Sequence, residues 1–263
     1  MLTAIAAPPM AAQIPLEQAL QNLFTVERAD GAGLEKLGGA TYAHWLSKEI
    51  RGSPADGVDK ATARQLLDVG KRLWNRCLLE AKGASGGAGK LNAAVRMLAL
   101  TAMSIALQHP ELRLFGDEEK KRAASNLCKL AHEFATELDD APCAERCCAL
   151  AQELLDSCAL ERVLFHRAHV HCAHARVALQ RDDAEHVHAA LRAVSSLLCD
   201  ERAPATDTLQ LVEVAGLLVS VARSAVDAAA PSPARAALVI DVFDAALRVC
   251  EICLLYTSPS PRD

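Results

Sequence analysis

The stretch Ala159–Leu198 repeats apolar residues with the period of an α-helix, breaks once at Arg181-Asp182-Asp183, and then resumes. Leu160, Leu164, Ala168, Cys172, Ala175 and Leu179 fall on one side of a spiral of about 3.6 residues per turn. Val187, Ala190, Leu191, Val194, Leu197 and Leu198 continue the pattern after the break. Neither helix can bury its stripe alone. The two must pair as a hairpin and find further neighbours, which is the logic of a helical-repeat array.

The same period recurs along most of the chain. It predicts helices over Leu16–Arg28, Thr41–Ile50, Asp59–Lys82, Leu91–Gln108, Asp117–Leu138, Pro142–Cys158, Asp207–Asp227 and Pro233–Ile252. In Asp59–Lys82 the stripe is Ala63, Leu66, Leu67, Gly70, Leu73, Trp74, Cys77 and Leu78; in the last helix it is Ile240, Phe243, Leu247 and Cys250. Leu91–Gln108 is apolar almost all round, so it should be enclosed on several sides. Only 3% of residues are aromatic and strand-like alternation is lacking, which suits close helix packing. The expected fold is all-α: antiparallel helical hairpins stacked as a TPR-like α-solenoid over residues 16–252, after a disordered leader, residues 1–15. Hairpins starting near Asp117, Leu160 and Asp207 stand 43 and 47 residues apart. Those periods lie closer to HEAT-type repeats than to the tetratricopeptide period of about 34.

Composition excludes several functions. A net charge of −5 and a pI near 6.0 give no general attraction to nucleic acid. No uninterrupted apolar run approaches the roughly 18 residues of a membrane span. The apolar start lacks the basic region of a secretory signal, and Pro8, Pro9 and Pro15 break it. Ten cysteines without such a signal point to a reducing compartment, cytosol or nucleus.

Candidate chemistry fails on spacing. His166, His169, His171 and His174 spread over about 200° of their helix, so four-fold convergence on an ion is excluded and a solvated or partner-facing surface is expected. Cys143 and Cys147 stand four apart, but no second cysteine pair matches them, and a near-core role is expected. Gly83–Lys90 resembles a phosphate loop but carries Ala84 at the first glycine's place and Leu91 at the Ser/Thr position. It reads as a linker. Asp139-Asp140 and Asp182-Asp183 precede helices as caps. No catalytic, cofactor or metal residues are expected.

The tail Cys253–Asp263, CLLYTSPSPRD, matches the translation of a transposase-type sequencing adaptor across its length. The expectation is that the native chain continues past Ile252 and that residues 253–263 are an artefact.

Leu73-Trp74-Asn75 in a long helix, then a Gly-rich break and the apolar helix Leu91–Gln108, resembles the N-terminal part of the TPR-like meiotic crossover and synapsis-initiation scaffolds. That resemblance implies a non-enzymatic, chromosome-associated nuclear scaffold that binds other proteins through its helical surface. The alternatives are a general cytosolic TPR-like adaptor, or the helical N-terminal region of an enzyme whose catalytic part lies elsewhere. A metal protein using Cys143 and Cys147 with histidines is a further one. Partner contact is expected at His166, Arg167, His169, His174 and Arg176, mostly off the apolar stripe.

Overall fold

A computed structural model describes residues 14–52, 58–80, 87–110, 116–198, 208–227 and 233–257. Among them are eleven helices and no strand: α1 (Leu16–Arg28), α2 (Gly31–Lys36), α3 (Gly39–Gly52), α4 (Lys60–Glu80), α5 (Gly87–Gln108), α6 (Gly116–Thr136), α7 (Ala141–Asp156), α8 (Leu160–Gln180), α9 (Ala184–Leu198), α10 (Thr208–Asp227) and α11 (Pro233–Thr257). The leader up to Gln13, Gly83–Gly86 of the Gly-rich connector, the Pro204 loop, Pro231-Ser232 and the tail from Ser258 lie outside the described residues, whereas Gly87–Lys90, expected as linker, form the first turn of α5. The fold is all-α with packed neighbouring helices, in two compact units, Met1–Ala123 and Ala124–Asp263.

In the first unit α5 is the centre. From Leu91 to Leu107 every residue but Arg96 is buried, with α3 and α4 packed against it. Gly89–Gln108 has the length and apolarity of a membrane span, but 89% of that stretch is covered by protein, as expected for a core helix. Several of the polar groups that α5 carries bond locally, Ser104 Oγ among them, which donates to Leu100 O at 2.7 Å. Thr101 donates to Met97 O at 2.8 Å, so its hydroxyl proton is committed and Ser47 of α3 must be the donor in their 2.8 Å contact. Asn92 donates to Cys77 O of α4 at 2.9 Å. The α4–α5 approach is set by Gly70, where a Cβ would stand 2.6 Å from Met103 Cγ and 2.8 Å from Ala99 O. Arg76 of α4 caps the C-terminal end of α1, donating to the carbonyls of Val26, Glu27 and Ala29 that the helix leaves unpaired. The α4 stripe ends sooner than its sequence suggests: Leu73 and Cys77 are buried, Trp74 is half-buried and Leu78 is 45% exposed.

In the second unit α8 packs on α7, α9 and α10, while α11 packs on α10 and α9. Of the expected hairpins, α8–α9 and α10–α11 are closely packed pairs. Two similar turns punctuate the unit. Asp139 and Asp182, 43 residues apart in sequence, both adopt positive φ (51° and 55°), and each precedes an aspartate that caps the next helix. Asp140 accepts from Cys143 N at 3.0 Å and Asp183 from His186 N at 3.2 Å, as capping requires. Asp183 N also donates to Ala178 O across the left-handed Asp182, a Schellman-type ending for α8. Arg235, near the start of α11, secures this turn through Asp182 Oδ1 at 2.6 Å and Gln180 O at 3.2 Å.

The inward face of α11 differs from the expected one. Leu238, Val239, Val242, Ala246 and Val249 are buried, whereas Ile240 (66%), Phe243 (39%), Leu247 (62%) and Cys250 are exposed. The two sets are adjacent rows on one helix, both apolar, and packing against α9 and α10 selects the first. The helix also runs on through Cys253–Thr257, into the stretch that matches an adaptor translation.

Candidate functional site

The polar residues of α8 owe their positions to how thoroughly that helix is covered. Val163, Leu164, Ala168, Val170, Cys172, Ala173, Ala175, Val177, Ala178 and Leu179 are all buried, far more than one stripe. His166, Arg167, His169, His171, His174 and Arg176 therefore sit half-buried along α8. They are not the solvated face that their charge suggests. His169 lies only about 60° around the helix from Cys172, at the edge of the stripe and not opposite it.

One seam lies between α6, α8 and α10. Cys128 and His132 of α6, His169, Cys172, Ala173 and Arg176 of α8, and Leu217 and Val221 of α10 line a cavity of about 20 Å³, room for one water-sized group. Arg176 Nη2 donates to Ser220 Oγ of α10 at 3.0 Å, which fixes the guanidinium, while Arg176 Nε is buried without a partner. His132 Nδ1 is buried without a partner as well. Burial, then Arg176, holds the His132 imidazole below its usual titration range. Burial pushes His169 down to about 4, helped by His166, Arg176 and Lys129. The thiols go the other way: burial pushes Cys172 up to about 12 and Cys128 well above its ordinary value. Neutral imidazoles and thiols therefore surround one permanent cation.

A second seam lies between α7, α8 and α9. It is an open groove of about 470 Å³, lined by Ala149, Ala189, Ala190 and Ala193, with Glu145, His171, His174, Asp183 and His186 among them. Its charges are already paired, Glu145 with Arg181 and Asp183 with His186 Nδ1 at 2.8 Å. Burial pushes His171 down to about 4 and lowers His174, whereas the hydrogen bond to Asp183 raises exposed His186. A third groove, about 350 Å³ between α9 and α11, has His188 and Asp241 in contact at 2.9 Å.

The five residues expected to meet a partner divide accordingly. His169 and Arg176 share the small cavity, and His174 faces the α7–α9 groove. His166 packs edge-on to Phe165 with ring centroids 5.5 Å apart. Arg167 is turned inward, donating to Leu155 O at the end of α7 at 3.1 Å and pairing with Asp156 at 3.4 Å. Sequence reasoning missed Cys128 and His132. Their signal was present as a four-residue spacing on α6 that matches the His169/Cys172 three-residue spacing on α8.

Cys77, Cys143, Cys147 and Cys148 are not set up as nucleophiles. Burial pushes Cys77 and Cys143 up to about 11, and Cys147 and Cys148 higher again, so little thiolate exists near neutral pH. Cys143, Cys147 and Cys158 are buried, as small hydrophobic groups. Comparison of the chain with protein-family models, with curated proteins and with solved structures finds no match.

Proposed function

We propose that this chain is a protein-interaction scaffold, a stack of helical hairpins of TPR-like α-solenoid type, and that the outer face of α10–α11 seats an amphipathic helix of a partner protein. One observation carries the reading. Val212, Val219 and Val226 of α10 and Ile240, Phe243 and Leu247 of α11 are large apolar side chains left exposed on the two helices of one hairpin. Their spacings, seven and seven on α10 and three and four on α11, are those of a seam made to receive another helix. Scattered exposed apolar residues need no explanation, but a row at helical spacing on each of two paired helices does.

The test compares capture from source-cell extract by the wild-type chain and by the double variant Phe243→Glu/Leu247→Glu, followed by binary binding of each purified partner. The expected result is loss of a defined partner at least about tenfold in affinity, since each charge would enter an apolar seam. Identical capture by both proteins refutes the reading, and concentration-dependent self-association abolished by the variant assigns the seam to a second copy instead. The meiotic setting is the finer form of this proposal and is supported by the Leu73-Trp74-Asn75 resemblance alone. It requires that the captured partners from meiotic cells include synapsis or crossover factors.

A further inference from the structure

Ile240, Phe243, Leu247 and Cys250 of α11 are exposed and follow one another at spacings of three, four and three. Those are the a and d positions of a coiled-coil seam, whose flanking positions choose the partner by charge. On one flank stand Val239 and Ala246, buried in the protein's own core. On the other stand Asp244 and Glu251, exposed, seven residues apart and within about 60° of Leu247 around the helix. Arg248, the exposed cation of α11, lies about 100° from Leu247, one row further out beside Asp241. These two and Asp244 border the groove that His188 and Arg192 of α9 line from the other side. The Asp244–Arg248 pair, at 2.8 Å, is exposed at both ends, so it contributes little and leaves Asp244 able to meet a second cation. On α10 the exposed charges Glu213 and Arg223 are opposite in sign. The charges nearest the apolar row of α11 are thus two acids.

Charge separates the possible occupants. A second copy laid antiparallel along the seam would bring the Asp244 and Glu251 flanks of the two chains together, like charge against like. Laid parallel, it would set those acids against the flank of Val239 and Ala246, which is already turned into its own core. Neither arrangement offers the acids a cation. An anionic lipid surface is repelled by the same two side chains. A helix with Lys or Arg at its flanking positions meets them favourably, and a net charge of −5 on the chain steers it in. We infer that the α10–α11 seam is specific for a basic amphipathic helix of a partner protein. That helix sets apolar residues on Ile240, Phe243 and Leu247 and places Lys or Arg, seven residues apart, against Asp244 and Glu251. The inference rests on the docking reading above and supplies the chemistry of the partner.

The probes are two designed helical peptides with Leu at the a and d positions, one carrying Lys and the other Glu at the flanking positions. Their binding to the full chain is followed by fluorescence anisotropy. The Lys peptide should bind at least about tenfold more tightly, through two attractions gained and two repulsions avoided. That difference should shrink as salt is raised. Asp244→Lys/Glu251→Lys should reverse the preference. The milder Asp244→Asn/Glu251→Gln should abolish it, and circular dichroism checks that each variant keeps its helix content. Equal binding of the two peptides, or a preference that Asp244→Asn/Glu251→Gln leaves intact, overturns the inference. Phe243→Ala/Leu247→Ala, which removes apolar contact without changing charge, separates it from the reading beneath it. Equal binding that this variant abolishes keeps the seam and overturns the charge assignment alone. Binding that survives this variant lies elsewhere on the chain and overturns both. Failure of both peptides to bind overturns this inference, while the docking reading stands or falls by its own capture experiment.

Discussion

His169 and His171 are neighbours on α8 that face different seams, yet both are pushed from 6.5 down to about 4, chiefly by burial. Next in size come cations, His166, Arg176 and Lys129 for the first, His174 and Arg167 for the second. Both are therefore neutral in the folded chain at neutral pH. Between 6.5 and about 4 the unfolded chain binds protons that the folded chain refuses, so stability rises with pH in that window and is lost as pH falls through it. Each group contributes a slope of at most about 1.4 kcal/mol per pH unit. Urea denaturation at pH 7.5 and at pH 5 should show a clear loss at the lower value, before the carboxylates titrate. His171→Gln should flatten it, and equal stability at the two pH values would rule the account out. His186 runs the opposite way, since its raised value means that its pairing with Asp183 is present at low pH and lost as pH rises. It is exposed, so its part is small.

At the scale of a helix, Gly70 shows how packing overrides propensity. In a solvated helix Gly→Ala stabilises by about 1 kcal/mol. Here the new methyl would meet the backbone carbonyl of Ala99 at 2.8 Å, and a helix backbone cannot step aside as a side chain can. Gly70→Ala should destabilise by about 1–3 kcal/mol, seen as a lower thermal midpoint. A raised midpoint would mean that α4 and α5 do not approach so closely. Gly70 was readable from sequence as part of a stripe, but its close contact with Ala99 was not, because that depends on a helix with no polar face to fix its rotation. The same limit explains α11. Ile240, Phe243 and Leu247 and the adjacent row Val239, Val242 and Ala246 are equally apolar, so period alone could not say which row turns inward. Amphipathic helices were legible: in α7 Cys147, Leu150, Ala151, Leu154 and Leu155, and just beyond it Cys158, are all buried as their spacing predicts. The candidate cavity was half legible, through His169 and Arg176. Cys128 and His132 belong to a distant helix, and only the tertiary approach of α6 and α8 gives them a role.

For the molecule as a whole, thiol accessibility is a direct check of how the helices are packed. Cys77, Cys128, Cys147, Cys148 and Cys172 are buried and Cys250 is exposed. Brief iodoacetamide treatment of the native protein should label Cys250 and leave those five unmodified until denaturant is added. Early labelling of Cys128 or Cys172 would mean that the α6–α8–α10 seam opens readily.

The enclosure of α5 has a consequence for how the chain is made. Its two main walls, α3 and α4, both precede it in sequence, and Ser47, Gly70 and Cys77 all leave the ribosome before the residues they meet on α5. Synthesis proceeds at about 5–20 residues per second, slow compared with helix formation. The segment most apt to aggregate, or to be mistaken for a membrane anchor, thus emerges after the two helices that wall it. Reversing that order by circular permutation, with α5 translated ahead of α3 and α4, would leave the same contacts available at equilibrium and expose the nascent chain for longer on the way to them.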